Sequence, residues 1–211
     1  MSKIVLITGA SSGIGKSTAA FLASKNYTVY GTGRTPKSTA DDPYTLLPLD
    51  VTKIDSIEKV IQHIIAKEGR IDVLVNNAGM GITGPIEDTP TDEMRKVFET
   101  NFFGSIDMMK AVLPQMRKQQ SGTIINVTSI AGYMGLPYRG IYSATKGALE
   151  LVTEATSMEV LKFGIKVINI APGDFATGIA SGRCCQPKGN RHDAPVRGPD
   201  RRQPAPQPLR R

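Results

Sequence analysis

Cysteine is almost missing from this sequence of 211 residues, and the two that occur, Cys184 and Cys185, are adjacent. Neighbouring cysteines suit neither a disulfide framework nor a zinc site, since no second Cys pair or His pair stands at ligand spacing. Long apolar runs are missing too. Met1-Ser2-Lys3 leads into only four apolar residues, Ile4 to Ile7, too few for the core of a signal peptide. Nothing approaches the roughly 18 apolar residues of a membrane span. The expectation is a cytoplasmic protein with no membrane partner. The body of the chain also lacks net charge. The formal charge is +7, yet residues 181–211 hold eight Arg and Lys against Asp193 and Asp200, leaving the first 180 residues with eighteen bases and seventeen acids. The body offers no electrostatic case for specific nucleic-acid binding; only the tail is basic.

What is present fits one domain, residues 1–180, because 40% hydrophobic and 21% charged residues are ordinary for a globular chain. Residues 181–211 differ in kind. They carry six of the fourteen prolines and no aromatic residue, with no helical or strand periodicity, and read as a disordered Pro/Arg-rich tail.

Along the body, short apolar β-branched runs alternate with helical patterns. Lys3 to Ile7 reads as a strand, Thr8 to Gly15 as a glycine loop, and Ala19, Phe21, Leu22 and Ala23 as the start of a helix face. Glycines in a strand-to-helix turn let the backbone approach a pyrophosphate at the positive end of the helix, although a purely structural turn has the same composition. The second strand, Tyr27 to Thr32, ends at Gly33-Arg34, about where a dinucleotide fold reads the adenosine ribose. No acid stands there. Arg34 offers a planar cationic fork suited to a 2′-phosphate, which favours NADP(H) over NAD(H), unless Arg34 is only a solvated loop residue.

Tyr44 to Leu49 reads as a third strand ending at Asp50-Val51, and Thr52 to Asp55 resembles a capping box that opens a helix to about Glu68. Ile71 to Val75 is a fourth strand running into Asn76-Asn77-Ala78-Gly79. Thr89 is placed as the N-cap of the next helix, with Pro90 at its first position. Asn101 falls in that helical stretch, where Asn is intrinsically poor, so its side chain is expected to hydrogen-bond something specific. A fifth strand, Thr123 to Val127, leads to Ser129, and a sixth spans Ile165 to Ile170. Alternation without hairpin signals implies a Rossmann-type, doubly wound α/β fold with a parallel sheet and ligands at the strands' carboxyl ends.

Between the last two strands, Tyr142 and Lys146 lie one turn apart on one helix face. An ammonium beside a phenol favours the phenolate and brings a pKa near about 10 toward the range useful for general acid/base work. The same spacing also occurs on ordinary amphipathic helices.

Thr8-Gly9-(x)3-Gly13-x-Gly15, Asn76-Asn77-Ala78-Gly79, Asn101, Ser129, Tyr142-(x)3-Lys146 and Pro172-Gly173-(x)3-Thr177 occur in one order. Together they resemble the short-chain dehydrogenase/reductase family over residues 1 to about 182. The resemblance implies six strands in the order 3-2-1-4-5-6, followed by a seventh that is not visible in this sequence. It implies that Tyr142 is the catalytic acid/base, that Lys146 lowers its pKa and holds the nicotinamide ribose, that Ser129 binds the substrate oxygen and that Asn101 supports a proton relay. The implied cofactor site comprises Gly9, Ser11, Ser12, Gly13, Ile14, Gly15, Arg34, Asn77, Ala78 and Gly79, with Asp50 and Val51 at the adenine and Pro172, Gly173 and Thr177 near the nicotinamide. The activity implied is hydride transfer between NAD(P) and a small carbonyl or secondary alcohol. Met80, Tyr133, Met134 and Leu136 give the substrate side an apolar cast, and a homo-oligomer is the family habit. No metal site is expected. After Gly182 the sequence departs from the family, and two functions stand side by side: an active NADP-dependent oxidoreductase, or a truncated, catalytically impaired domain whose basic tail meets polyanions or a partner.

Overall fold

Apolar runs of four to six residues become strands here because each can be covered on both faces, which is what a parallel sheet flanked by helices provides. The computed structural model describes residues 2–36 and 42–173. Thr177, the expected loss of a seventh strand and the tail from 181 to 211 lie outside the described residues. The strands are β1 (Ile4–Ile7), β2 (Thr28–Gly33), β3 (Thr45–Pro48), β4 (Val73–Asn76), β5 (Gly122–Val127) and β6 (Ile165–Ile170). They form one parallel sheet in the order β3-β2-β1-β4-β5-β6. The helices between them are α1 (Gly13–Ser24), α2 (Ile54–Glu68), α3 (Thr91–Phe98), α4 (Gly104–Gln119) and α5 (Gly140–Val160).

The period of two along β1 sorts its side chains between two cores. Ile4 and Leu6 join Leu74, Ile124, Ile64 of α2 and Met108 and Met116 of α4. Val5 and Ile7 join Val29, Val75 and Ala19 of α1. Burying side chains of this size contributes about 1.5–3 kcal/mol each. Helices thus cover both faces around β1, while Ile168 and Ile170 of β6 stay exposed, and the strands' carboxyl ends remain as the place for a ligand.

The sheet also carries a polar row. Asn76 of β4 stands opposite Asn126 of β5, and Asn126 opposite Asn169 of β6. Asn76 Nδ2 donates to Asn126 Oδ1 (2.9 Å) and to the Ser105 carbonyl (3.1 Å). Asn126 Nδ2 donates to Thr153 Oγ1 (2.7 Å), and Asn169 Nδ2 reaches the Glu150 carbonyl at 3.4 Å.

Two helix starts differ from expectation. No capping box forms at Thr52: Lys53 is the N-cap, and the Thr52 N–H and hydroxyl both donate to Asp50 Oδ1 (3.0 and 2.8 Å). The carboxylate two residues back captures Thr52 before it can cap. At the next start Pro90, not Thr89, is the N-cap, because the Thr89 hydroxyl donates to the Pro85 carbonyl at 2.6 Å.

Candidate active site

The glycine loop is held in place by its neighbour from β4. Thr8 Oγ1 accepts from the Asn77 N–H (3.0 Å) and the Ala78 N–H (2.9 Å), while Asn77 Nδ2 donates to the Thr8 and Gly9 carbonyls (2.9 and 3.1 Å). Gly9 has φ +67°, and a Cβ there would lie 2.9 Å from Ala78 Cα. A Cβ at Gly15 would stand 2.5 Å from the Gly9 carbonyl oxygen. Only glycine lets the start of α1 come this close beneath the loop.

A cleft of about 920 Å³ opens over this loop and runs along the carboxyl ends of the strands. Gly9, Ser11, Ser12, Gly13 and Ile14 line one part of it, with Arg34, Asp50 and Val51 at the adenosine end expected from the sequence. Asn77, Ala78, Gly79, Ser129, Tyr142, Lys146, Pro172 and Gly173 line the remainder. Gly15 supports the loop from below and does not line the cleft. At the Arg34 end, partial burial pushes the Asp50 carboxyl up, but the two Thr52 hydrogen bonds and the charges of Arg34 and Lys53 outweigh it and hold the group below its ordinary value. Lys53 therefore adds a second cation to the one read from sequence.

Asn101 is fully buried in a single π turn, Glu99–Phe103, that links α3 to α4. Its Oδ1 accepts from the Met80 N–H (2.8 Å), and its Nδ2 donates to the Met80 carbonyl (2.9 Å) and Thr145 Oγ1 (3.3 Å). The amide is thus committed to shaping the wall after Gly79 and does not line the cleft. Inserting one residue into the helical ladder is what turns Asn101 inward.

Ser129 caps a short 3₁₀ turn, Ile130–Gly132, where its Oγ accepts from the Ala131 N–H at 3.2 Å. Across the cleft, burial raises the Tyr142 phenol above its ordinary value, while a hydrogen bond with Ser129 and the charge of Arg139 pull it down. The Lys146 Nζ donates to the Val127 carbonyl at 2.7 Å and lies 5.9 Å from the centre of the Tyr142 ring. Burial lowers the amine itself to about 8. Desolvation thus favours the neutral form of both groups.

A family model described as short chain dehydrogenase matches residues 3–184. The chain belongs to the short chain dehydrogenase family. Among curated proteins this dehydrogenase is similar to the 3-ketodihydrosphingosine reductase of Bacteroides thetaiotaomicron, 49% identical over 181 residues that cover 86% of this chain and 67% of that protein. It is also similar to retinol dehydrogenase 8 of Homo sapiens, 38% identical over 188 residues that cover 83% of this chain and 60% of that one. The chain thus spans about two thirds or less of the length of these relatives. Among solved structures, ElxO with NADP bound superposes with a TM-score of 0.80 at 36% identity, covering 86% of this chain and 79% of that one. Proteins of this family are oxidoreductases acting on CH–OH and C=O groups with NAD(P).

Two residues beside the site escape a reading of sequence alone. Arg139 and Lys53 look like loop residues until the fold sets them against Tyr142 and Asp50. Asn126 left a signal that could have been used: an amide inside the apolar strand Gly122–Val127 is out of place unless something inside the fold pairs with it.

Proposed function

We propose that this chain represents an NADP(H)-dependent oxidoreductase that reduces a carbonyl on an apolar, lipid-like body. The observation that carries the reading is the meeting of Ser129 and Tyr142 at one end of a cleft whose other end holds the glycine loop and Arg34. A dinucleotide laid along that cleft brings its nicotinamide to the Ser129 and Tyr142 end. The cofactor supplies the hydride. Ser129 and Tyr142 hydrogen-bond the substrate oxygen, stabilise the negative charge that develops there, and Tyr142 delivers the proton. Burial keeps the phenol protonated at neutral pH, which is the form an acid needs for reduction; oxidation of the alcohol needs the phenolate. Lys146, tied to Val127, fixes the loop before Ser129 and is within reach of a ribose lying along the cleft.

Arg34, with Lys53 beside Asp50, supports a 2′-phosphate at the adenosine end, and the NADP-bound state of ElxO agrees with it. Two observations support an apolar substrate. Met80 lines the cleft, and Ile82 borders both the cleft and a second cavity of about 290 Å³ lined also by Pro85, Ile86, Leu136 and Ile141. The two relatives are named for ketodihydrosphingosine and retinol, both lipids. Tyr133 and Met134 stand largely exposed on the loop beside this region.

The test is oxidation of NADPH in the presence of 2-decanone, beside NADPH binding, for the chain and its Tyr142→Phe variant. Turnover should vanish in the variant while the NADPH Kd stays within about threefold, because the hydroxyl moves a proton and is not needed to hold the dinucleotide. Wild-type turnover in Tyr142→Phe refutes the assignment.

A further inference from the structure

The first turn of α5 stands between two hollows. Tyr142 lines the cleft, and the residue before it, Ile141, lines the second cavity of about 290 Å³. Neighbours on a helix project about 100° apart, so one turn serves both spaces. Ile82, only 3% exposed, borders both as well. A chain leaving a carbonyl held at Tyr142 meets Ile82 at the border between them.

The polar groups around this cavity are largely occupied by one another. The Pro85 carbonyl accepts from Thr89 Oγ1 (2.6 Å) and from the Asp88 and Thr89 N–H groups (3.3 and 3.1 Å), and the Gly84 N–H donates to the Tyr138 carbonyl (2.9 Å). The side chains of Ile82, Pro85, Leu136 and Ile141 leave an aliphatic wall, while Glu87, the one carboxylate on the lining, is exposed and belongs to the solvent rim. A hollow with so few free polar partners holds water poorly and suits an apolar ligand. The loop that closes it is strained. Tyr138 has φ +63°, a left-handed conformation that a tyrosine keeps only where its surroundings hold it. The Gly84 hydrogen bond is one such hold, and it ties the loop after β4 to the loop before α5. Strain of this kind gathers at ligand clamps, and an incidental surface crevice has no need of it.

We infer that this cavity is a tail subsite of the same active site: it takes the alkyl chain of a straight-chain ketone whose carbonyl lies at Ser129 and Tyr142, and its size sets the chain length preferred. At about 30 Å³ for a group the size of a water or a methylene, 290 Å³ holds about ten carbons. The inference rests on the proposed roles of Ser129 and Tyr142.

The test is oxidation of NADPH with 2-butanone, 2-hexanone, 2-decanone and 2-tetradecanone. Each methylene buried should raise kcat/KM about threefold up to 2-decanone, and the four further carbons of 2-tetradecanone should add less than about threefold in all. A Cβ at Gly140, which lines the cavity, would meet nothing within 4 Å, so Gly140→Leu can fill the space without moving the backbone. That variant should lower kcat/KM for 2-decanone about tenfold or more and leave 2-butanone within about twofold. Leu136→Ala widens the cavity from the loop side and should move the levelling point to a longer ketone; it decides the matter if Gly140→Leu loses activity with every ketone. A readout independent of turnover is the NMR shift of the δ1-methyl groups of Ile82 and Ile141, which 2-decanone should move and 2-butanone should not. An active chain with the same kcat/KM for all four ketones, or with a 2-decanone rate that Gly140→Leu leaves unchanged, overturns the inference. A parent chain that turns over none of them defeats the proposed function instead, and the methyl shifts then decide the cavity: no movement with 2-decanone overturns the tail subsite.

Discussion

Replacing Thr8 by Val keeps the shape of the side chain and removes only its polarity, so it isolates what the hydroxyl contributes. Thr8 is 1% exposed, and its Oγ1 accepts two backbone N–H groups, from Asn77 at 3.0 Å and Ala78 at 2.9 Å. In Thr8→Val both donors lose their partner. A buried donor left unsatisfied costs about 1–3 kcal/mol, and because Asn77 and Ala78 are only half-buried the low end applies to each. The added methyl returns up to about 0.8 kcal/mol. The net loss is roughly 1–2 kcal/mol, which for a chain of this size lowers Tm by about 2–4 °C per kcal/mol. The assay is thermal unfolding by circular dichroism, with Thr8→Ser as the control that keeps the oxygen. NADPH affinity should fall with stability, because the same contacts set the height of Gly9 beneath a pyrophosphate. A Thr8→Val protein that melts within about 1 °C of both the parent and Thr8→Ser would refute the claim that this hydroxyl joins the two loops.

Two further outcomes follow from charges in the cleft. Arg34→Asp should reduce or reverse a preference for NADPH over NADH, measured as the ratio of dissociation constants by fluorescence titration; equal constants for the two cofactors in the unmutated chain would remove Arg34 from the assignment. Lys146 gives a pH dependence whose sign is fixed: its folded value of about 8 lies below the ordinary 10.5, so between these limits the unfolded chain binds more protons and the contribution of Lys146 to stability rises with pH. Relative to Lys146→Met, the chain should therefore gain resistance to urea as pH goes from about 7.5 to 10, and parallel curves for the two proteins would show that the amine is not desolvated.

The strands and the glycine loop were legible because their signals are local: a β-branched run, then glycines where a turn needs them, then a helical period. Thr52 and Thr89 misled for the opposite reason. Each has the composition of a cap, but a nearer acceptor, Asp50 Oδ1 or the Pro85 carbonyl, takes the hydroxyl first, and that competition shows only in the folded chain. The spacing of Tyr142 and Lys146 correctly gave a shared helix face. It did not give the direction of the ammonium, because Val127 is brought to it by the fold from 19 positions away. Asn101 was legible as a residue with a specific partner, while the identity of that partner, Met80, depends on a π turn that no propensity announces.

The row of asparagines across β4, β5 and β6 bears on how the chain finds its alignment as it folds. Val73–Asn76 and Gly122–Val127 are apolar on both sides of the sheet, so sliding one strand past the other by a residue or two exchanges one aliphatic contact for another at little cost. The amides break that degeneracy. A slip of one residue would set Asn76 against Ile125 or Val127 and break its hydrogen bond to Asn126 Oδ1, at about 1–3 kcal/mol for the buried acceptor left without a mate. Three side chains thus act as an index mark, selecting one alignment among several that hydrophobicity alone would accept, and the alignment selected is the one that sets Thr128 and Ser129 at the mouth of the cleft.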